Sequence, residues 1–208
     1  MLGQVGLMPE MWRSLMALIL TSAVIMGSPG PSTISATAMG AAFGVRRSFR
    51  YLSGLIVGTM AVLLAVSIGV VALVLAIPHG AGVLGAISAV YILYLAFKIA
   101  TAPPLQSQSG VVAPPAFVGG LLLAIANPKA YLAIAAVFAG TTVIVDDHGL
   151  DAVVKTALLS VMIVIIHLCW LLAGASLARV LRDPVSSRLV NVLLAAALVG
   201  TTLVMFIG

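Results

Sequence analysis

Two short stretches of this 208-residue chain, Ser28-Pro29-Gly30-Pro31 and Asn127-Pro128-Lys129, carry the residue types that could recognise a small charged molecule. A proline removes a backbone donor and clashes with the turn before it, so each stretch is expected to end one helix and start another. Ser28-Pro29, Gly30-Pro31 and Asn127-Pro128 each read as an N-cap followed by proline at the first helical position. A helix that starts there points about half a positive charge at its surroundings. The unpaired N–H groups near Ser32, Thr33 and Ala130 suit a carboxylate. The preceding helix ends, near Met26-Gly27 and Ile125-Ala126, offer orphan carbonyls to an ammonium group. Pro29, Gly30, Pro31, Ser32, Thr33, Asn127, Pro128 and Lys129 are therefore the expected binding residues, and a zwitterion is the ligand they suit.

Two titratable side chains could move protons. Lys129 is the one charged side chain expected at membrane depth, where a lysine costs about 2.5–3.5 kcal/mol on insertion scales. It either serves a wet cavity or only ties down carbonyls freed at the break. His167 has an ordinary pKa near neutrality and is the other coupling candidate. The plainer reading makes it a packed histidine bonded to a carbonyl. Cys169 is the only cysteine and reads as a small apolar filler. A disulfide framework, a zinc site and a redox cysteine pair are thereby excluded within one chain.

These residues need a scaffold, and composition says which kind. Apolar residues make up 62% of the chain and charged ones 7%, with a mean hydropathy of +1.27. Soluble domains carry about 45–50% apolar and about 25% charged residues. Too few solvated groups exist to cover a surface, so lipid is the outer solvent. The formal charge of +5 lies in short basic clusters between apolar runs, which fits loops at an anionic membrane and not a nucleic-acid face.

Apolar runs place helices at about 14–45, 51–77, 82–101, 115–143, 152–178 and 188–207, with no Asp or Glu inside any span. Pro78-His79-Gly80 divides a 47-residue uncharged run. Residues 102–114 read as a polar Pro/Gln/Ser-rich linker. Arg46, Arg47, Arg50, Lys98, Arg179, Arg182 and Arg188 fall on one side of the membrane, against Arg13 and Lys155 on the other. That asymmetry puts both termini outside a cytoplasmic (inner) membrane. The first run also has the outline of a cleaved leader ending near Ala36-Thr37-Ala38. The recurrence of its proline break in the second half argues against that.

The two segments with breaks, 14–45 and 114–145, are each 32 residues, or about 48 Å as helix, well over the roughly 30 Å hydrocarbon core. If both were re-entrant hairpins, the arginine clusters would face opposite sides. The fold expected is therefore an all-α integral membrane protein. Its six transmembrane helices form two inverted three-helix repeats, 1–101 and 115–208, in a single transporter domain, with helices 1 and 4 broken by proline. Matched interruptions in inverted halves point to a transport site, whereas isolated ones are ordinary packing kinks. Gly40/Gly44 and Gly54/Gly58 read as close-packing pairs.

With Pro29-Gly30-Pro31, the Gly40/Gly44 pair before Arg46-Arg47, Gly54-x-x-x-Gly58 and Asn127-Pro128-Lys129-Ala130 in this order, the chain resembles the lysine exporter (LysE/RhtB) family. The resemblance implies proton-motive-force-driven export of amino acids or similar metabolites, with no enzymatic activity and no cofactor. It departs from the family at Thr59, where many members carry an acid, and at Phe138-Ala139-Gly140-Thr141, where an aromatic-proline run is common. With no carboxylate beside Lys129, a neutral amino acid is expected and a dibasic one is not. The same lack argues against a metal. Partners are then a small-molecule substrate and membrane lipid, with homo-oligomerisation left open. The alternative is translocation of a lipid or cell-envelope precursor. A thiol-reducing electron carrier would need two reactive cysteines.

Overall fold

The computed structural model describes residues 4–69, 86, 89–90, 93–94, 96–97, 100–101, 116–177 and 184–207. Among them every regular element is helical: α1 (Gln4–Ile25), α2 (Pro31–Ser67), α3 (Phe117–Ala126), α4 (Pro128–Gly140), α5 (His148–Leu177) and α6 (Pro184–Ile207). Described residues from Ala86 to Ala100 are helical as well, inside the third expected span. The Pro78-His79-Gly80 turn, the 102–114 linker, Lys98, Arg179 and Arg182 lie outside the described residues.

α2 is not a straight rod, although 37 residues would make one of about 55 Å. Gly44 sits at φ 70°, ψ 172°, a left-handed backbone that glycine adopts without a Cβ penalty. Two hydrogen bonds show that the chain doubles back there. Ser48 Oγ donates to Met39 O at 2.7 Å, and Tyr51 Oη to Ser35 Oγ at 3.3 Å. Residues sixteen apart on one straight helix would be about 24 Å apart. The two limbs, 31–43 and 45–67, thus form a helical hairpin with Arg46, Arg47 and Arg50 just past its turn, near the expected boundary. Gly44 is consequently a turn residue, and its expected packing partnership with Gly40 does not exist.

Five other glycines mark where helices touch. A Cβ on Gly40 would strike Leu171 O of α5, and one on Gly174 would strike Thr37 O. Gly54 faces Phe117 O, Gly120 faces Tyr51 O, and Gly58 faces Ala124 and Leu121, all across the α2–α3 contact. In lipid, where apolar burial drives helix association weakly, such close approach supplies the dispersion contact that holds helices together. The first limb of α2 is thereby enclosed: all residues from Pro31 to Phe43 are buried.

Among the described residues, length and apolarity are compatible with membrane crossing in two helices, or three stretches if the bent pair is one span. α2 and α5 each pass on length and apolarity, and α3 with α4 passes as one pair bent by 61°. The second limb of α2, at 23 residues and about 34 Å, is long enough alone, whereas the 13-residue first limb is not.

Two expectations are corrected at helix ends. α1 starts ten residues earlier than expected, running through Glu10 and Arg13, so it is a 22-residue helix and not a short half-span. α5 starts at His148, which places Asp151 inside a helix and buried. Its carboxylate is fully engaged. Oδ1 accepts from Val143 N at 2.7 Å and Ile144 N at 2.9 Å, and Oδ2 meets Lys155 Nζ at 2.7 Å. Lys155 also donates to Phe138 O and Thr141 O and lies 4.4 Å from the Phe138 ring centroid. This buried pair closes the end of α4 onto α5. Lys155, counted in the sequence only for the orientation of the chain, is therefore also a structural clamp.

Two stability outcomes follow. Gly120→Val forces a side chain into Tyr51 O and should cost at least about 1–3 kcal/mol. Gly140→Val, with open space around it, should stay within about 0.5 kcal/mol; thermal unfolding in detergent separates the two. Asp151→Ala leaves Lys155 buried without its counter-charge and should cost about 3–5 kcal/mol. Adding Lys155→Met should recover much of that loss in the same assay.

Candidate functional site

Two chain breaks meet at one cavity. α1 ends at Ile25 and α2 begins with Pro31, and α3 ends at Ala126 and α4 begins with Pro128. Pro31 and Pro128 occupy first-turn positions, where no intrahelical donor is needed. Asn127 is the N-cap of α4, its Oδ1 accepting from Lys129 N at 3.1 Å. Its Nδ2 donates to Ser32 Oγ at 2.9 Å, so one buried amide ties the start of α4 to the start of α2. At the other break, Gly30 N donates to Thr33 Oγ1 at 2.9 Å and Ser28 Oγ donates to Ile25 O at 2.8 Å.

Lys129 makes the second tie. Its ammonium donates to Ser28 O at 2.5 Å, Ser28 Oγ at 2.7 Å and Pro29 O at 2.7 Å. Three donors meet three acceptors, so the charge is spent on groups that the α1–α2 break freed. Other orphan carbonyls are also taken: Trp170 Nε1 donates to Gly27 O at 3.0 Å and Tyr131 Oη to Ile125 O at 2.8 Å. The sequence offered these carbonyls to a ligand's ammonium. In this structure the protein's own side chains occupy those of Gly27, Ser28, Pro29 and Ile125.

The cavity beside these ties opens to its surroundings and encloses about 420 Å³ of space, open solvent at its mouth included. Met26, Ser28 and Gly30 line it from the first break, and Ser32, Thr33 and Thr59 from α2. Asn127, Lys129 and the apolar Ala133 and Ile134 contribute from the second break and α4, and Ile163, Ile166 and His167 from α5. Lys129 is the one charged side chain among the described lining residues. Thr59 Oγ1 donates to Leu55 O at 2.8 Å, so it presents lone pairs to the cavity.

Of the expected residues, Gly30, Ser32, Thr33, Asn127 and Lys129 line this cavity directly. Pro31 and Pro128 set the helix starts behind it, and Pro29 contributes its carbonyl to Lys129. His167 joins them from α5, 4% exposed, with Nδ1 at 2.8 Å from Ile163 O and no partner for Nε2 among the described residues. Sequence reasoning missed the parts of Thr59 and Trp170. Trp170 lies one turn from His167 on the same helix face, a spacing that could have flagged it. Cys169, between them, is exposed.

The family model of LysE type translocators matches residues 23–208. The chain is 32% identical over 174 residues to cysteine/O-acetylserine efflux proteins of Escherichia coli, Shigella sonnei and Salmonella typhimurium, covering 83% of this chain and 87% of each relative. No solved structure matches the chain.

Removing the Lys129 tie has a measurable cost. Lys129→Met should strand the Ser28 and Pro29 carbonyls and destabilise the protein by about 1–3 kcal/mol. Lys129→Arg should keep most of the stability; thermal unfolding in lipid nanodiscs reads the difference.

Proposed function

The chain belongs to the LysE type translocator family, membrane transporters for amino-acid efflux and not enzymes, and from that premise we propose that it exports a small neutral amino acid or derivative across the cytoplasmic membrane, driven by the proton motive force. The observation that carries this reading is a cavity lined by both chain breaks, with Asn127 and Lys129 of one break bonded to Ser32, Ser28 and Pro29 of the other.

In the proposed mechanism the substrate carboxylate lies near Lys129 and the starts of α2 and α4, where helix dipoles and the ammonium favour an anion. Substrate neutrality is supported by the absence of a carboxylate among the described lining residues and by Ala133, Ile134, Ile163 and Ile166, which leave an apolar wall for a short side chain. The relatives' cysteine and O-acetylserine are molecules of that size and charge. Alternating access then consists of one half rocking against the other around the breaks, as in transporters built from two inverted repeats. The Lys129 and Asn127 ties are made in this state and must loosen or re-form as the cavity changes sides. On this reading both termini lie outside.

The test is efflux of preloaded radiolabelled amino acids from proteoliposomes, with and without a proton gradient. Wild type should export a small neutral amino acid in a gradient-dependent way. Lys129→Ala and Pro29→Ala should each lose most of that flux, of the order of tenfold or more. Folded protein that moves no amino acid but scrambles lipid would replace this reading with translocation of a lipid precursor.

A further inference from the structure

We infer that His167 Nε2 is the acceptor for the substrate's ammonium group and, in alternation, for the proton exchanged against it. The inference rests on the exporter reading above and specifies the chemistry of its coupling. An amino acid brought into the cavity must place its ammonium against an acceptor, because an unpaired buried charge is costly. Four carbonyls at the breaks already serve protein donors: Lys129 bonds those of Ser28 and Pro29, Trp170 that of Gly27 and Tyr131 that of Ile125.

His167 adds an acceptor that no described protein donor meets and that can also take a proton. A carbonyl only accepts, so the 2.8 Å contact with Ile163 O puts the ring hydrogen on Nδ1. In the neutral imidazole this leaves a lone pair on Nε2. That atom is shielded from solvent and has no partner among the described residues, although His167 lines the cavity. A buried acceptor left unpaired is rare and costs about 1–3 kcal/mol, so its persistence here calls for an occupant.

The surroundings make that occupant exclusive. Around the cavity, α1 and the break after it contribute Met26, Ser28 and Gly30, and α2 contributes Ser32, Thr33 and Thr59, all uncharged. α5 adds Ile163 and Ile166, and α4 contributes the one charge, that of Lys129. No lining carboxylate among the described residues could neutralise an imidazolium. Once Nε2 carries a proton it presents a donor and a positive charge, and an ammonium has no place beside it. When the ammonium occupies Nε2, the lone pair is unavailable to a proton. Exchange follows from this mutual exclusion: substrate binding from the cytoplasm releases a proton there, and substrate release outside is followed by proton uptake. A zwitterion carries no net charge, so each cycle moves one positive charge inward.

The test uses the full chain in lipid nanodiscs and L-cysteine, L-serine and L-alanine as probes, over roughly pH 5 to 8. Wild-type affinity should weaken by about tenfold per pH unit on the acid side of the titration, with proton release on binding seen by an indicator in weak buffer. His167→Gln, which keeps an acceptor but cannot titrate, should bind with little pH dependence and release no proton. His167→Leu should bind about tenfold more weakly or worse. A wild-type pH dependence surviving in His167→Gln, or binding without proton release in the wild type, overturns the inference while leaving the exporter reading in place. Folded protein that neither binds nor exports any amino acid overturns both.

Discussion

A backbone carbonyl freed at a helix break inside packed protein needs a donor from elsewhere, and this constraint organises the site. Breaking a helix at Ser28-Pro29-Gly30-Pro31 releases several such groups, and the cost of stranding them would exceed what local packing could return. The chain answers with donors from elsewhere. Lys129 crosses from the other break to Ser28 and Pro29, and Trp170 reaches from α5 to Gly27. The two breaks are thus mutually dependent: the cation that would be costly in one is satisfied by the carbonyls exposed in the other.

The same economy of donors and acceptors appears at the far end of α4. Asp151 and Lys155 leave none of their principal groups idle, accepting the N–H groups of Val143 and Ile144 and donating to Phe138 O and Thr141 O. Both charges are buried, yet together they form a closed set. A satisfied network of this kind makes the α4–α5 connection rigid. The Lys129 cluster differs in being open to a cavity, with Pro29 exposed at its edge.

Much of this was readable from residue types alone. Pro31 and Pro128 announced helix starts because proline has few other uses within apolar runs, and Asn127 announced a cap because its side chain competes for backbone N–H groups. The long-range pairings were not readable, since nothing in sequence order says that residue 129 meets residue 28. The doubling back at Gly44 was also hidden. Gly40 and Gly44 share a spacing, but only backbone dihedrals distinguish a contact glycine from a turn glycine. Charge counting used Lys155 for orientation and said nothing of Asp151, because a tally of basic residues does not reveal that this pair is buried and neutralises itself within the protein. The start of α1 was misjudged for a related reason: Glu10 and Arg13 mark where apolarity ends, and a helix can continue past that point into a more polar setting.

The first limb of α2 has a consequence for how this chain can vary. Thirteen successive residues, from Pro31 to Phe43, are walled by protein on every side, and its hydroxyls at Ser35 and Thr37 bond back to the limb's own carbonyls at Ser32 and Thr33. Such a segment behaves as a smooth axle, with few side chains long enough to catch on a neighbour. Surface helices can drift in sequence as long as they stay greasy, as Leu20 and Val24 of α1 can. The axle has less freedom, because its residues are buried and even a Cβ added at Gly40 presses on the backbone of α5. Diversification of this transporter therefore has to come from the lining around the axle and not from the axle itself.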